Sequence, residues 1–129
     1  MATIPVTIIQ PARTLDQRGV YTVEWAPITN VNVDGAPVSN TRFTDRSVHV
    51  SGAFGAGGTV TIQGTNQVDA AGLPINWLTL SDQAGVALAF TAPGIKTILQ
   101  VSRFIRPLES AGDGTTSVTV TLTSHGDDL

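Results

Sequence analysis

Cysteine is missing from this 129-residue chain, so neither a disulfide nor a thiolate metal site is available to it. Charge is also scarce. Acidic and basic residues together make up 13% of the chain, and the formal net charge is −3. The seven basic residues are scattered, the densest pairs being Arg42/Arg46 and Arg103/Arg106. A nucleic-acid binder gathers such residues into a footprint that displaces counterions from phosphates, so direct nucleic-acid binding is not expected. No apolar run approaches the roughly eighteen residues needed to cross a bilayer as a helix, and no membrane partner is expected. The opening MATIPVTIIQPARTL has neither the basic start nor the continuous apolar stretch of a signal peptide, which predicts synthesis in the cytoplasm.

Helical periodicity is absent as well. Apolar residues seldom recur at three-four spacing, and 13 Gly and 7 Pro punctuate short runs of Val, Ile and Thr. This pattern predicts an all-β domain. A run from Ile4 to Gln10 opens it, and Gly19 to Ala26 follows with Tyr21, Val23 and Trp25 on one face, ended by Pro27. Asp34-Gly35 is expected to make a turn. Further strands are expected over Phe43–Ser51, with Val48 and Val50 inward, and over Thr59–Gly64, with Val60 and Ile62 inward. A polar excursion, Asn66 to Pro74, separates the latter from Trp77–Leu80. Val86–Thr91, then Ile95–Val101 continuing through Arg103–Arg106 as far as Pro107, and finally Val118–Thr123 complete eight or so strands.

That spacing predicts a two-sheet β-sandwich, a jelly roll ahead of an immunoglobulin-like arrangement, with an extended N-terminal segment. Residues 1–18 read as an N-terminal arm or edge strand, 19–124 as the sandwich domain and 125–129 as a flexible tail.

The search for chemistry finds little. His49 and His125 are the two histidines, too few for a three-histidine zinc site. No serine stands in a G-x-S-x-G elbow. The glycine-rich stretch 52–58 lacks the G-K-[ST] ending of a phosphate loop. Asp34, Asp82 and Asp113 read as turn residues, although Asp113 near backbone carbonyls would suit weak calcium binding. No catalytic residue, metal site or cofactor is expected.

Threonine suits strands because its branched Cβ favours extended backbone, and it enters an interface without the desolvation cost of a charge. The outward Thr61, Thr119 and Thr121 are therefore interface candidates. Arg103 and Arg106 straddle Phe104-Ile105, and arginine with aromatics is enriched in interface cores, which adds Arg103, Phe104 and Arg106. The run Ile95–Ile105 places apolar groups on both sides of one strand, as a bulge or a subunit contact would. Arg42 with Asp45 and Arg46 with Glu24 read as surface ion pairs. Trp25 and Trp77 read as core residues, with sugar stacking as the alternative.

The stretches Gly55–Asn66 (GAGGTVTIQGTN), Asn76–Asp82 (NWLTLSD), Phe90–Gly94 (FTAPG), Val101–Pro107 (VSRFIRP) and Gly112–Val120 (GDGTTSVTV) resemble small virion proteins of tailed bacteriophages. In particular they are similar to capsid cement, or decoration, proteins of jelly-roll type. The resemblance covers roughly residues 43 to 123. It implies a homodimer or homotrimer on the outer capsid surface of a virion, bound between major capsid subunits and reinforcing the shell. The N-terminal segment, with Ile4, Val6 and Ile8, would then add to a neighbour's sheet edge. Another phage head or tail component, or a glycan-binding module, is the alternative.

Overall fold

A computed structural model describes residues 3–10, 20–39 and 45–125. The chain folds as an all-β sandwich of two main antiparallel sheets with a small two-stranded ribbon at one end. Its strands are β1 (Val6–Gln10), β2 (Val20–Ile28), β3 (Val38–Ser39), β4 (Asp45–Ala53), β5 (Thr59–Thr65) and β6 (Gln67–Val68). They continue as β7 (Pro74–Ile75), β8 (Leu78–Thr79), β9 (Ala89–Phe90), β10 (Gly94–Ile98), β11 (Phe104–Ser110) and β12 (Ser117–His125). The first sheet runs β1-β2-β12-β4-β10 and the second β3-β11-β5-β8, with β9 also on the edge of β5. The ribbon is β6-β7.

The period-2 pattern places the core. Val23, Trp25, Val48, Val50, Val118, Val120 and Leu122 of the first sheet face Val60, Ile62 and Ile105 of the second, and Phe54, Leu80 and Leu88 join the same core. Each such side chain contributes roughly 1.5–3 kcal/mol on leaving water. Trp25 also needs a partner for its indole N–H, and donates to Ala36 O at 2.9 Å.

Several sequence expectations change. Pro27 does not end its strand: β2 continues to Ile28. Its register against β12 shifts between Val118 and Val120, so Ala26 and Pro27 together oppose Thr119. A bulge of this kind accommodates a residue that has no donor for the ladder. Pro107 likewise sits inside β11. Its carbonyl accepts from Gly35 N at 3.0 Å, so its donorless nitrogen faces the same side, away from β5. Asp34-Gly35 is not a turn. Asp34 bridges Leu108, Gly35 bridges Ile4, and Gly35 packs with no room for a Cβ, which would meet Pro107 and Trp25 at 2.6 Å.

The polar excursion folds into the β6-β7 ribbon, where Asp69 Oδ1 accepts from Ala71 N and Leu73 N. Trp77 is not a core residue, and Leu78 beside it is 73% exposed. Arg46 is buried, facing inward between Val48 and Ser124, and donates to Ser102 O at 2.9 Å. It therefore points to the opposite side of its sheet from Glu24 and is buried, not at the surface position expected of it. His125 closes β12 with Ser124 buried beside it, so the last strand reaches into the expected tail. Gly19, Arg42, Phe43, residues 11–18 of the expected arm and 126–129 of the expected tail lie outside the described residues.

Candidate protein interface

The sequence-predicted interface residues fall in three places. Thr119 and Thr121 lie on the outer face of the first sheet. Thr61, Arg103, Phe104 and Arg106 lie on the other side of the molecule, on and beside the outer face of the second. Ile4, Val6 and Ile8 belong to the first-sheet edge.

Strand register builds the first face as rows. One row reads Thr7, Glu24, Thr121, His49, Ile95, and the next Thr22, Thr123, Ser47, Thr97. Thr119 stands opposite Ser51. Within the sheet the hydroxyls of Thr22 and Thr123 approach to 3.2 Å. Glu24 is the single carboxylate in these rows, and Ile95 is 65% exposed beside His49. In these rows the face is hydroxyl-rich, nearly flat in charge and carries one large apolar side chain, Ile95.

The second face is organised by arginine. Arg106 pairs with Gln63 in the β11-β5 register, donates from Nε to Gln63 Oε1 at 3.0 Å and stacks its guanidinium 4.3 Å from the centre of the Trp77 ring. Burial lowers the Arg106 pKa, and the charge of Asp34 opposes that. Arg103 sits 5.0 Å from the Phe104 ring centre, while its backbone N–H donates to Asn66 Oδ1 at 2.7 Å. Thr61 is half-buried, with its hydroxyl donating to Leu108 O across the sheet at 3.2 Å.

Ile4 is buried in the core, its backbone hydrogen bonded to Asp34 O and Ala36 N at 2.8 Å each, and so offers little surface to a partner. Val6 packs half-buried against that core. Ile8 points to the same side as Val23 yet remains exposed, because β1 is the outermost strand of its sheet. In the described residues, the N-terminal segment is thus an edge strand of its own sheet.

The two-sided apolar run also resolves. β10 ends at buried Ile98, and Leu99 and Val101 are exposed on the connection that follows. Leu99 N donates to Ser81 O at 2.8 Å, and Arg103 N anchors to Asn66, which fixes that connection beside the ribbon. Leu73, Ile75 and Leu78 on and near the ribbon are exposed as well. Sequence reasoning missed this group. Its only signal is large aliphatics inside a stretch otherwise written in turn residues.

Among the described residues, no group of three or more His, Cys, Asp or Glu is placed to hold a metal ion. Compared with protein-family models and with curated proteins, the sequence matches none.

Proposed function

We propose that the protein is a virion structural subunit, a jelly-roll cement protein that binds between major capsid subunits on the outer surface of a phage shell and reinforces it. The observation that carries this reading is a hydroxyl-rich, weakly charged sheet face on one side of the sandwich and an arginine-bearing face on the other, with exposed aliphatics at the ribbon end. A subunit built this way has contact surface for two neighbours at once. Bridging a seam requires that and no reaction. The strand order β2-β12-β4-β10 against β3-β11-β5-β8 supports the jelly-roll assignment, since the chain changes sheet at nearly every step, as two wrapped Greek keys do.

The role is mechanical. Packaged DNA strains the joints of a shell, and each bridging subunit adds contacts that must break before a joint opens. Once one contact has formed, the next is intramolecular, so modest affinities act together. Among the described residues β1 has no strand on its outer edge, which offers a place where a neighbouring strand would pair.

Co-sedimentation tests the reading. The purified protein is expected to form a dimer or trimer by analytical ultracentrifugation and to pellet with capsid shells that lack it. A strict monomer that stays in the supernatant overturns it. The glycan alternative rests on Trp77 alone, because Trp25 is buried and one face of the Trp77 ring is covered by Arg106.

A further inference from the structure

Glu109 is the one buried carboxylate in the described chain, and neither of its oxygens has a hydrogen-bond partner. It is 3% exposed and projects inward from β11, one position from the strand's end. A carboxylate is not left in this condition without cause, because taking an ion from water is costly unless another charge or a set of donors replaces the hydration.

Oxygen atoms of two chain connections gather near it. Two connections close over Glu109: residues 54–58, between β4 and β5, and residues 111–116, between β11 and β12. Both carry the chain from one sheet to the other. Glycines let the two connections approach closely. The position that a Cβ of residue 112 would occupy lies 2.8 Å from Glu109 Oε1 and 2.5 Å from Thr116 Oγ1. The corresponding position at Gly55 is flanked by Asp113 Oδ1, at 2.5 Å, and again by Thr116 Oγ1. At Gly58 it is flanked by Phe54 O and, at 3.4 Å, by Glu109 Oε1. The Thr116 hydroxyl donates to Phe54 O at 2.9 Å and accepts from Asp113 N at 3.0 Å, tying the two connections together. Four oxygen-bearing groups, two of them carboxylates, thus press against the glycines where the two connections meet, at approaches that no Cβ would permit.

We propose that Glu109, Asp113, Thr116 and the Phe54 carbonyl form a binding site for a hard divalent cation, calcium by its donor set, at the end of the sandwich where the two inter-sheet connections meet. All donors are oxygen, and they mix carboxylate, hydroxyl and carbonyl, the combination that calcium accepts in variable geometry and that magnesium, strict in its octahedron, does not. Two carboxylates balance the charge of one divalent ion. Asp113 is already held as the anion, its pKa lowered by the Thr115 hydroxyl, then by the Thr115 and Ala56 backbone N–H groups. Bound calcium would supply the charge that Glu109 lacks and pin the two connections to each other. The site is independent of the capsid reading, and its test uses the isolated protein.

The experiment is calorimetric titration of calcium into full-length, chelator-treated protein, with thermal unfolding measured in parallel. The expected result is one saturable site per chain, a melting temperature that climbs with calcium concentration, and affinity that strengthens with pH as protons cease to compete. Glu109→Gln, nearly isosteric and neutral, is expected to weaken binding roughly tenfold or more, because carboxylate charge sets affinity at such sites. Asp113→Asn is expected to do the same and carries the test should the Glu109 variant fail to fold. No heat and no melting shift in the wild type at millimolar calcium overturns the proposal and leaves Glu109 a buried neutral acid. Binding in a folded Glu109→Gln variant equal to that of the wild type overturns it too.

Discussion

Arg106 sets its guanidinium over the Trp77 ring, 4.3 Å from its centre, while its Nε donates to Gln63 Oε1 at 3.0 Å, so one arginine joins β11, β5 and the segment that leads into β8. A partly desolvated stack of this kind is worth about 0.5–2 kcal/mol. Lysine cannot reproduce both the planar stack and the directed bond. Arg106→Lys is therefore expected to lower stability in urea unfolding by about 1 kcal/mol. Trp77 emission should shift to the red as its ring gains water, while Trp25 stays shielded. An unchanged emission spectrum in that variant would show that the stack does not persist in solution.

Gly35 lies where backbone, Trp25 and Pro107 meet. Any Cβ there would come within 2.6 Å of the Trp25 and Pro107 side chains. Gly35→Ala is expected to cost about 1–3 kcal/mol through overpacking. Wild-type stability for that variant in chemical denaturation would mean that the 33–36 segment does not dock as described.

Glu109 and Asp113 should tune stability in opposite directions. Burial raises the Glu109 pKa, so the folded state holds its proton more tightly than the unfolded chain. That contribution is complete below the unfolded glutamate value of about 4.3 and is lost as pH rises through the folded value. Asp113, with a lowered pKa, contributes above the unfolded aspartate value of about 3.9, and its share is lost as pH falls through the folded value. In calcium-free buffer the wild type is expected to lose melting temperature relative to Glu109→Gln as pH climbs above the glutamate range. Parallel pH profiles for the two proteins would remove Glu109 from the account.

Surface substitutions should separate assembly from folding. Leu78→Lys removes an aliphatic group that is already in water, so its effect on unfolding is expected within about 0.5 kcal/mol, while shell binding weakens. On the first face Thr119→Glu is the clean probe, because Thr119 stands opposite Ser51. Thr121→Glu would also set a second carboxylate against Glu24, adding a cross-strand cost of about 0.2–1 kcal/mol to folding. Thr61→Glu breaks the bond to Leu108 O and so tests folding and assembly together. Shell binding equal to wild type for both Leu78→Lys and Thr119→Glu would mean that neither surface meets a partner.

Alternation alone determined a good deal. Val48, Val50, Val60, Ile62, Val118, Val120 and Leu122 point inward as the period of two requires, and Trp25 follows Val23 into the core. A strand's side-chain direction is a local property, so the all-β sandwich and most of its inner face are legible without coordinates. Asp82 was legible for the same reason: its Oδ1 caps Ala84 N and Val86 N within its own turn.

What needed the tertiary structure were questions of neighbours. Whether Trp77 is buried depends on Arg106, nearly thirty positions away. Pro27 and Pro107 sit inside strands because a bulge and the approach of Gly35 happen to leave their missing donors unneeded. Arg46 and Glu109 occupy inward positions that a polar side chain does not advertise, and only the packed sheets reveal that both are buried. Pattern along a chain reports which way a side chain points. The atoms it meets there are contributed by segments far away in sequence, and those decide whether a charge finds a partner or a ring finds a cover.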